Sequence, residues 1–368
     1  MTSRRNFIKN TTLTAGSLPF VSMAFNKLQQ GKKLGVALVG LGNYSTHQLA
    51  PALQLTNLCK LTAIVTGSPD KATKWANQYD IPQKNIYNYK NFDQIKDNNE
   101  VDIVYVVLPN SMHAEYTIRA ANAGKHVICE KPMALNSTEC KAMIAACNKN
   151  QVQLSIGYRL YFDPYHLEMR RFAQEKIYGK VKMIESSLGF SMADPKVWRL
   201  NKALGGGGAI MDLGVYCIQG VRRTLNELPV SVTAQGFVHD TKVFKDIYEG
   251  MTFQMHFKSG VISNSTTTYS SYVDRLHITT GWQSYGLEPS YNATGAAGKI
   301  RENEIKELKF STKKYQQIDQ MDDFANCILN QKKSVANGEE GLIDLKIIEA
   351  IKLAADTKKK IFINWDKM

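Results

Sequence analysis

The chain has 368 residues, 43% of them hydrophobic, and 46 Lys+Arg against 33 Asp+Glu give a net charge of +13. That length predicts about two domains, and 25 Gly with 10 Pro exclude collagen-like and low-complexity classes. No apolar run approaches the roughly 20 residues that cross a bilayer, which excludes a helical integral membrane protein.

The N-terminus reads as an address. Ser3-Arg4-Arg5-Asn6-Phe7-Ile8-Lys9 is basic, Thr11 to Phe25 is weakly apolar, and Ser22-Met23-Ala24 has the small residues of a cleavage site. In that setting the paired arginines resemble a twin-arginine signal, which exports folded proteins. Residues 1–24 are therefore the expected signal and the periplasm the expected location. No cysteine lies near Ala24, so neither a lipid anchor nor membrane association after export is expected. Cleavage would remove Arg4, Arg5 and Lys9 and leave a net +10.

Lysine clusters at 313–314, 332–333 and 358–360 are scattered and mixed with acids. They read as solvated surface, and nucleic acid is not an expected partner. Cysteines at 59, 129, 140, 147, 217 and 327 contain no C-x-x-C spacing. No metal is expected from them. Cys140 and Cys147 stand roughly 10 Å apart along a helix axis, beyond disulfide reach, so packing is the expected role of all six.

From residue 34 strands and helices alternate. Apolar runs predict strands over Leu34–Val39, Lys60–Thr66, Asp102–Leu108, His126–Cys129 and Val152–Gly157. Helical periodicity predicts Pro69–Tyr79, Ser111–Ala123 and Ser137–Asn148 between them. This is the grammar of βαβ units and a parallel sheet. It predicts a dinucleotide-binding Rossmann domain over 31–156.

Beyond residue 157 the pattern changes. A helix over Asp163–Ile177, a strand over Val181–Gly189 and a helix over Ala209–Leu225 precede strands over Val230–Val238, Met251–Phe257 and Val261–Tyr269. Helices over Gln316–Leu329 and Leu342–Ala355 and a strand over Ile361–Trp365 close the chain. Residues 157–368 are thus expected to form an α+β domain on a large, open, mostly antiparallel sheet. An open sheet must cover its outer face, so a homodimer or homotetramer through that sheet is expected.

The turn after the first strand is Gly40-Leu41-Gly42-Asn43-Tyr44-Ser45. Gly40 permits the turn, Gly42 admits a pyrophosphate, and the following helix start offers N–H donors. Ser45 takes the place of the third glycine. The second strand ends Thr66-Gly67-Ser68, without the carboxylate that would hold a ribose 2′-hydroxyl. Ser68 can donate to a 2′-phosphate and Lys71 can neutralise it, which favours NADP over NAD. Asp70 leaves NAD open. The third strand ends Leu108-Pro109-Asn110-Ser111-Met112-His113, at the sheet edge where ligands bind. Asn110 and His113 read either as nicotinamide contacts or as a helix cap and a packed residue.

The fourth strand ends Glu130-Lys131-Pro132, which places Lys131 beside the cofactor edge. Gly205 to Gly208 opens the helix bearing Asp212 and Tyr216, four apart and on one face. A phenol titrates near 10 unless cations favour phenolate. Lys131 with Tyr216 therefore makes a proton-transfer pair, with Asp212 orienting a substrate hydroxyl or the lysine.

These motifs, with Gly157-Tyr158-Arg159, Tyr161-Phe162-Asp163-Pro164 and Trp198-Arg199-Leu200, resemble the Gfo/Idh/MocA oxidoreductase family and, within it, the glucose-fructose oxidoreductase branch, from Leu34 to the C-terminus. The resemblance implies NADP between the two domains, oxidation of an aldose at C1 to its lactone, and return of the hydride to a ketose or second aldose. It implies Lys131, Asp212 and Tyr216 as the catalytic group. It implies cofactor contacts from Gly40, Gly42, Asn43, Tyr44, Ser45, Thr66, Ser68, Lys71, Leu108, Pro109, Asn110, His113, Glu130 and Lys131. Tyr158, Arg159, Trp198 and Arg199 would bind the sugar. Asn43 departs from the pattern, where a basic residue is expected near the pyrophosphate.

An exported dehydrogenase has no free NADP(H) pool to draw on. A cofactor loaded before export and regenerated by a second sugar meets that constraint and predicts a ping-pong reaction. A conventional sugar or polyol dehydrogenase with exchangeable NAD(P), a redox-neutral glycosidase of the family and a sugar-responsive binding protein are the other readings.

Overall fold

A computed structural model describes residues 33–192, 194–293, 295–301 and 304–366. The expected signal, residues 1–24, lies outside them.

The first sheet has six parallel strands: β1 (Leu34–Val39), β2 (Cys59–Val65), β3 (Ile86–Tyr87), β4 (Ile103–Val106), β5 (His126–Cys129) and β6 (Leu154–Ile156). They run in the order β3-β2-β1-β4-β5-β6. Every residue of β1 and β4 is buried, as a strand covered on both faces requires. The chain reverses between β1 and β4, so ligands are expected at the carboxyl ends of those strands. The helices around the sheet are α1 (Ala50–Leu53), α2 (Pro69–Tyr79), α3 (Asn110–Asn122) and α4 (Ser137–Lys149). A π-helical turn, Ser45–Leu49, runs directly into α1.

Next come α5 (Pro164–Gln174), β7 (Met183–Gly189), α6 (Lys202–Gly205), a second π-helical turn over Ile210–Gly214, and α7 (Val215–Leu225). The remaining strands are β8 (Pro229–Phe237), β9 (Gly250–Phe257), β10 (Ile262–Thr268), β11 (Val273–Thr279), β12 (Ser284–Leu287), β13 (Gly298–Arg301), β14 (Ile305–Leu308) and β15 (Ile361–Phe362). Nine strands form the second sheet in the order β14-β13-β12-β11-β7-β10-β9-β8-β15. Only β7 and β10 pair in parallel. Its inner face buries Phe253, Met255, Leu276, Ile278 and Tyr285 against α7 and α9 (Gly338–Thr357). Its outer face exposes Thr252, Gln254 and Arg275.

Strands β3 and β11 to β14 are not anticipated by the sequence reading. Four of the five span four residues or fewer, and β11 interleaves Asp274, Arg275 and His277 among its apolar residues. Helix α8 (Gln317–Leu329) also differs from expectation. It follows the second sheet in the chain, yet its Ile318, Met321, Phe324 and Ala325 pack on the parallel sheet beside Val36 and Leu38. Asp322 ties it there by accepting from the Leu58 N–H at 2.8 Å. Truncating a fully buried phenylalanine such as Phe324 costs roughly 3–5 kcal/mol. That anchorage carries the glutamines at the start of α8 beneath the candidate site.

Candidate active site

The turn after β1 fits a dinucleotide. Gly40 has φ +94, and a Cβ there would stand 2.3 Å from the Val107 carbonyl. Gly42 is exposed, and a Cβ on it would meet nothing within 4 Å, so the space beside the turn is open. Ser45 Oγ donates to the Gly40 carbonyl at 2.6 Å and closes the turn. The helical segment beginning here leaves its first N–H groups without helical partners, which suits a phosphate. Asn43 is exposed at its start.

At the end of β2, Thr66 Oγ1 accepts from the Ser68 N–H at 3.2 Å. Ser68 caps α2 by accepting from the Lys71 N–H at 3.4 Å, which leaves its own hydroxyl hydrogen free to donate. Lys71 Nζ reaches back to the Leu41 carbonyl at 3.1 Å, so its charge lies over the glycine turn. Asp70 is exposed in the first turn of α2.

Lys131 follows β5 and meets Asp212 on the second π-helical turn. Its Nζ donates to Asp212 Oδ1 at 3.0 Å and to the Asp212 carbonyl at 2.9 Å. Asp212 Oδ2 accepts from Arg199 Nε at 3.0 Å and from the Tyr269 hydroxyl at 3.1 Å. Burial alone would raise the Asp212 pKa, but Lys131 and Arg199 outweigh it and hold the carboxyl at about 2. Burial would likewise lower the Lys131 pKa, and the neighbouring Tyr216 and Asp212 hold it above the ordinary lysine range. The pair is thus a fixed carboxylate and a fixed ammonium.

The π-helical geometry keeps Asp212 and Tyr216 on one side. Lys131 Nζ stands 4.4 Å from the centre of the Tyr216 ring, and the Arg159 guanidinium stands 5.3 Å from it. Arg159 is 3% exposed and donates to Gln316 Oε1 and to the Tyr291 carbonyl. Gln317 Nε2 donates to the Tyr44 hydroxyl at 2.8 Å. Gln320 Nε2 donates to the Tyr105 hydroxyl at 2.7 Å, which donates in turn to Glu130 Oε1 at 2.7 Å. Burial raises the Glu130 pKa, and burial with Glu130 beside it raises that of Tyr44. Gln316 at the cap of α8, with Gln317 and Gln320 within it, thus forms a polar floor under Arg159, Tyr44 and Glu130.

Other expected site residues are placed differently. Asn110 is the first residue of α3, with Pro109 at the cap, and its Nδ2 donates to the Gly205 carbonyl at 2.9 Å. One N–H of its amide is thereby given to the glycine run. His113 is 1% exposed, with Nδ1 2.8 Å from the Pro132 carbonyl and Nε2 2.8 Å from that of Leu108. Burial lowers its pKa, and a neutral ring donates at only one of those nitrogens. It is a packed brace between the third and fourth strand ends, and Leu108 is itself buried.

Tyr158 does not reach the Lys131–Asp212 group. It is 2% exposed, stacks on Tyr161 with ring centres 5.1 Å apart, and buries its phenol beside Asp344. Arg159 is enclosed rather than open to a sugar. Trp198 lies under Arg199, whose guanidinium stands 4.6 Å from its ring centre, so it supports the Asp212 ion pair.

Sequence reasoning missed Tyr269, Tyr291 and the three glutamines. Tyr269 directly follows a threonine-rich strand, where an aromatic residue looks like core. The one signal for the glutamines is amide side chains at Gln317 and Gln320 among the buried positions of an otherwise apolar helix face.

The Gfo/Idh/MocA family model for oxidoreductases with an NAD-binding Rossmann fold matches residues 34–158. The model for the Gfo/Idh/MocA C-terminal domain matches residues 166–301. The aldose-aldose oxidoreductase of Caulobacter crescentus, solved with glycerol, is 37% identical with a TM-score of 0.88, over 90% of this chain and 100% of that one. The D-xylose 1-dehydrogenase [NADP(+)] of Haloarcula marismortui is 28% identical over 338 residues, 88% of this chain and 92% of the relative. The trans-1,2-dihydrobenzene-1,2-diol dehydrogenase of Xenopus tropicalis is 32% identical over 185 residues, 50% of this chain and 54% of that relative, so the chain spans about half its length.

Proposed function

Because the chain belongs to the Gfo/Idh/MocA oxidoreductase family, we propose that it is an NADP-dependent sugar oxidoreductase that oxidises an aldose at C1 to its lactone. The observation that carries the reading is the Lys131–Asp212 pair beside Tyr216, next to a turn that fits a dinucleotide. The similarity to an aldose-aldose oxidoreductase and to an NADP-dependent D-xylose dehydrogenase supports both the substrate class and the cofactor.

Gly40 to Ser45 would hold the pyrophosphate, and Ser68 with Lys71 the 2′-phosphate. When bound, the nicotinamide supplies the hydride acceptor for oxidation and the hydride donor for reduction. The residues of this chain handle the proton. Tyr216 Oη takes it from the C1 hydroxyl of the aldose and returns it to the carbonyl oxygen being reduced. The Lys131 ammonium stabilises charge on the phenol oxygen, and Asp212 keeps that ammonium charged and in place. Arg199 and Tyr269 occupy the second carboxylate oxygen, so Asp212 is a positioning anion and not the base.

The finer reading is a ping-pong cycle on one retained NADP, with a ketose or second aldose as oxidant, in the periplasm. It rests on the export signal expected at residues 1–24 and on the absence of a free cofactor pool after export. The outer face of the nine-stranded sheet, a polar concavity of about 510 Å³ lined by Thr233, Gln254 and Arg275 among others, is the surface proposed to pair subunits.

The deciding experiment is an absorbance spectrum of the purified, dialysed protein before and after glucose. A reduced-nicotinamide band without added cofactor, bleached by fructose or a second aldose, is the expected result. Oxidation that requires added NADP would leave a conventional dehydrogenase and overturn the ping-pong reading.

A further inference from the structure

Gly205 to Gly208 forms a strap between α6 and the π-helical turn that carries Asp212. Gly206, Gly207 and Gly208 have φ of +88, +137 and +84. Such a segment has no side chains of its own to pack and the largest conformational freedom to lose. Its position depends on groups that hold its carbonyls, and those of the turn it leads into, from outside.

Those groups come from four parts of the chain. Asn110 Nδ2 holds the Gly205 carbonyl at 2.9 Å, and Lys352 Nζ holds that of Gly206 at 2.8 Å. Thr267 Oγ1 holds the Ala209 carbonyl at 3.1 Å, and Lys131 Nζ that of Asp212 at 2.9 Å. Lys352 is half-buried on α9, with Lys202, Asp356 and Glu349 around it. A Cβ at Gly207 would stand 3.1 Å from Lys352 Nζ, so the bare strap is what admits the ammonium. Helix α9 is itself fixed, since Glu349 accepts from the Ser137 N–H at 2.7 Å and from its hydroxyl at 2.8 Å.

We infer that Lys352 is a positioning residue for the active site: by pinning the Gly206 carbonyl to α9 it sets where Asp212 meets Lys131. Of the two clamps on the strap itself, Asn110 and Lys352, the lysine makes the charge-assisted hydrogen bond, the stronger kind. A misplacement of about 1 Å at reacting groups costs up to roughly 100-fold in rate. The consequence for catalysis rests on the proposed function, whereas the consequence for Lys131 does not.

The test uses the full mature protein as K352M and K352R. Trace acetylation with acetic anhydride near neutral pH, read by peptide mass spectrometry against exposed Lys332, reports how firmly Asp212 holds Lys131. Lys131 reactivity is expected to rise roughly tenfold in K352M, the effect of one pKa unit, and to fall back in K352R. In sugar oxidation, kcat is expected to drop roughly 10- to 100-fold in K352M with KM within about twofold, and K352R to recover part of it.

A folded K352M whose Lys131 reacts as in the wild type overturns the inference. So does a loss seen only as a raised KM. Should K352M not fold, K352Q carries the same comparison with the same two outcomes. If the wild type oxidises no sugar, the functional reading fails by itself, and Lys131 reactivity still decides the role of Lys352.

Discussion

Lys131 holds Asp212 at two points, donating to its carboxylate at 3.0 Å and to its backbone carbonyl at 2.9 Å. A side-chain ion pair alone would leave the turn free to shift around the lysine. The second contact ties the backbone of the Ile210–Gly214 turn to the carboxyl edge of the parallel sheet. The two sheets of the fold therefore meet at the residues proposed to do chemistry.

That pair has a signature in stability against pH. The Asp212 pKa is depressed in the fold to about 2 from 3.8. Its stabilisation is therefore present above pH ~4 and lost as pH falls towards ~2. It is worth roughly 2 kcal/mol at pH ~5. Asp212→Asn lacks this contribution, so the gap in urea midpoint between wild type and variant should narrow from pH ~5 to pH ~3. A gap constant over that range would mean that the carboxylate is not the stabilising species.

Tyr269→Phe removes one of two donors to Asp212 Oδ2 and little volume. Loss of a hydrogen bond to a charged group is worth roughly 1.5–3 kcal/mol, and Arg199 retains part of the support. A fall in kcat of roughly 3- to 30-fold is expected, with sugar KM nearly unchanged. Steady-state kinetics with a saturating aldose measures it, and a change confined to KM would place Tyr269 in sugar binding instead.

Asn110→Ala separates a brace from a cofactor contact. The Gly205 carbonyl would lose a buried partner, at a cost of about 1–3 kcal/mol. The thermal midpoint and kcat should fall while the Kd for NADP stays within about threefold. A Kd raised tenfold or more by fluorescence titration would restore Asn110 as a nicotinamide contact.

Lys71→Ala should weaken NADP and spare NAD. One charge-assisted contact to a phosphate is worth roughly 1.5–3 kcal/mol, or about 10- to 100-fold in Kd. Calorimetric titration of both dinucleotides gives the ratio. An equal loss for the two would place the Lys71 ammonium on the shared pyrophosphate.

Tyr216→Phe and Tyr158→Phe should part company. Removing a proton-transfer hydroxyl costs roughly 10²- to 10⁴-fold in kcat. Tyr158 buries its phenol beside Asp344, away from Lys131, so its loss should register in the thermal midpoint and leave kcat/KM within about twofold. A large kinetic defect in Tyr158→Phe would return it to the sugar pocket.

Much of this protein is written locally. Leu34–Val39 is a run buried on both faces, Pro69–Tyr79 carries its Ser68 cap and opening proline, and Gly40-Leu41-Gly42 stands between strand and helix. Each depends on neighbours within a few residues, so the sequence alone determined the parallel sheet, the turn that fits a dinucleotide, and Lys131 at a strand end. Lys131, Asp212 and Tyr216 were legible for the same reason, being tied to a strand end and to one helix face.

What remained was decided by contacts between distant parts of the chain. Nothing near Arg199 or Tyr269 shows that both turn towards Asp212. Nothing near Gln316 shows that α8 leaves the second sheet and lies under the first, or that Lys352 closes on Gly206. Nor could local pattern show that Asn110 donates to Gly205, that both ring nitrogens of His113 face backbone carbonyls, or that the Tyr158 phenol is buried beside Asp344. A polar side chain at a strand end reads the same whether it meets a ligand or a carbonyl, because burial and partner choice are set only when the layers pack. The tertiary structure therefore decided which polar residues gather around the Lys131–Asp212 pair and which bond into the frame.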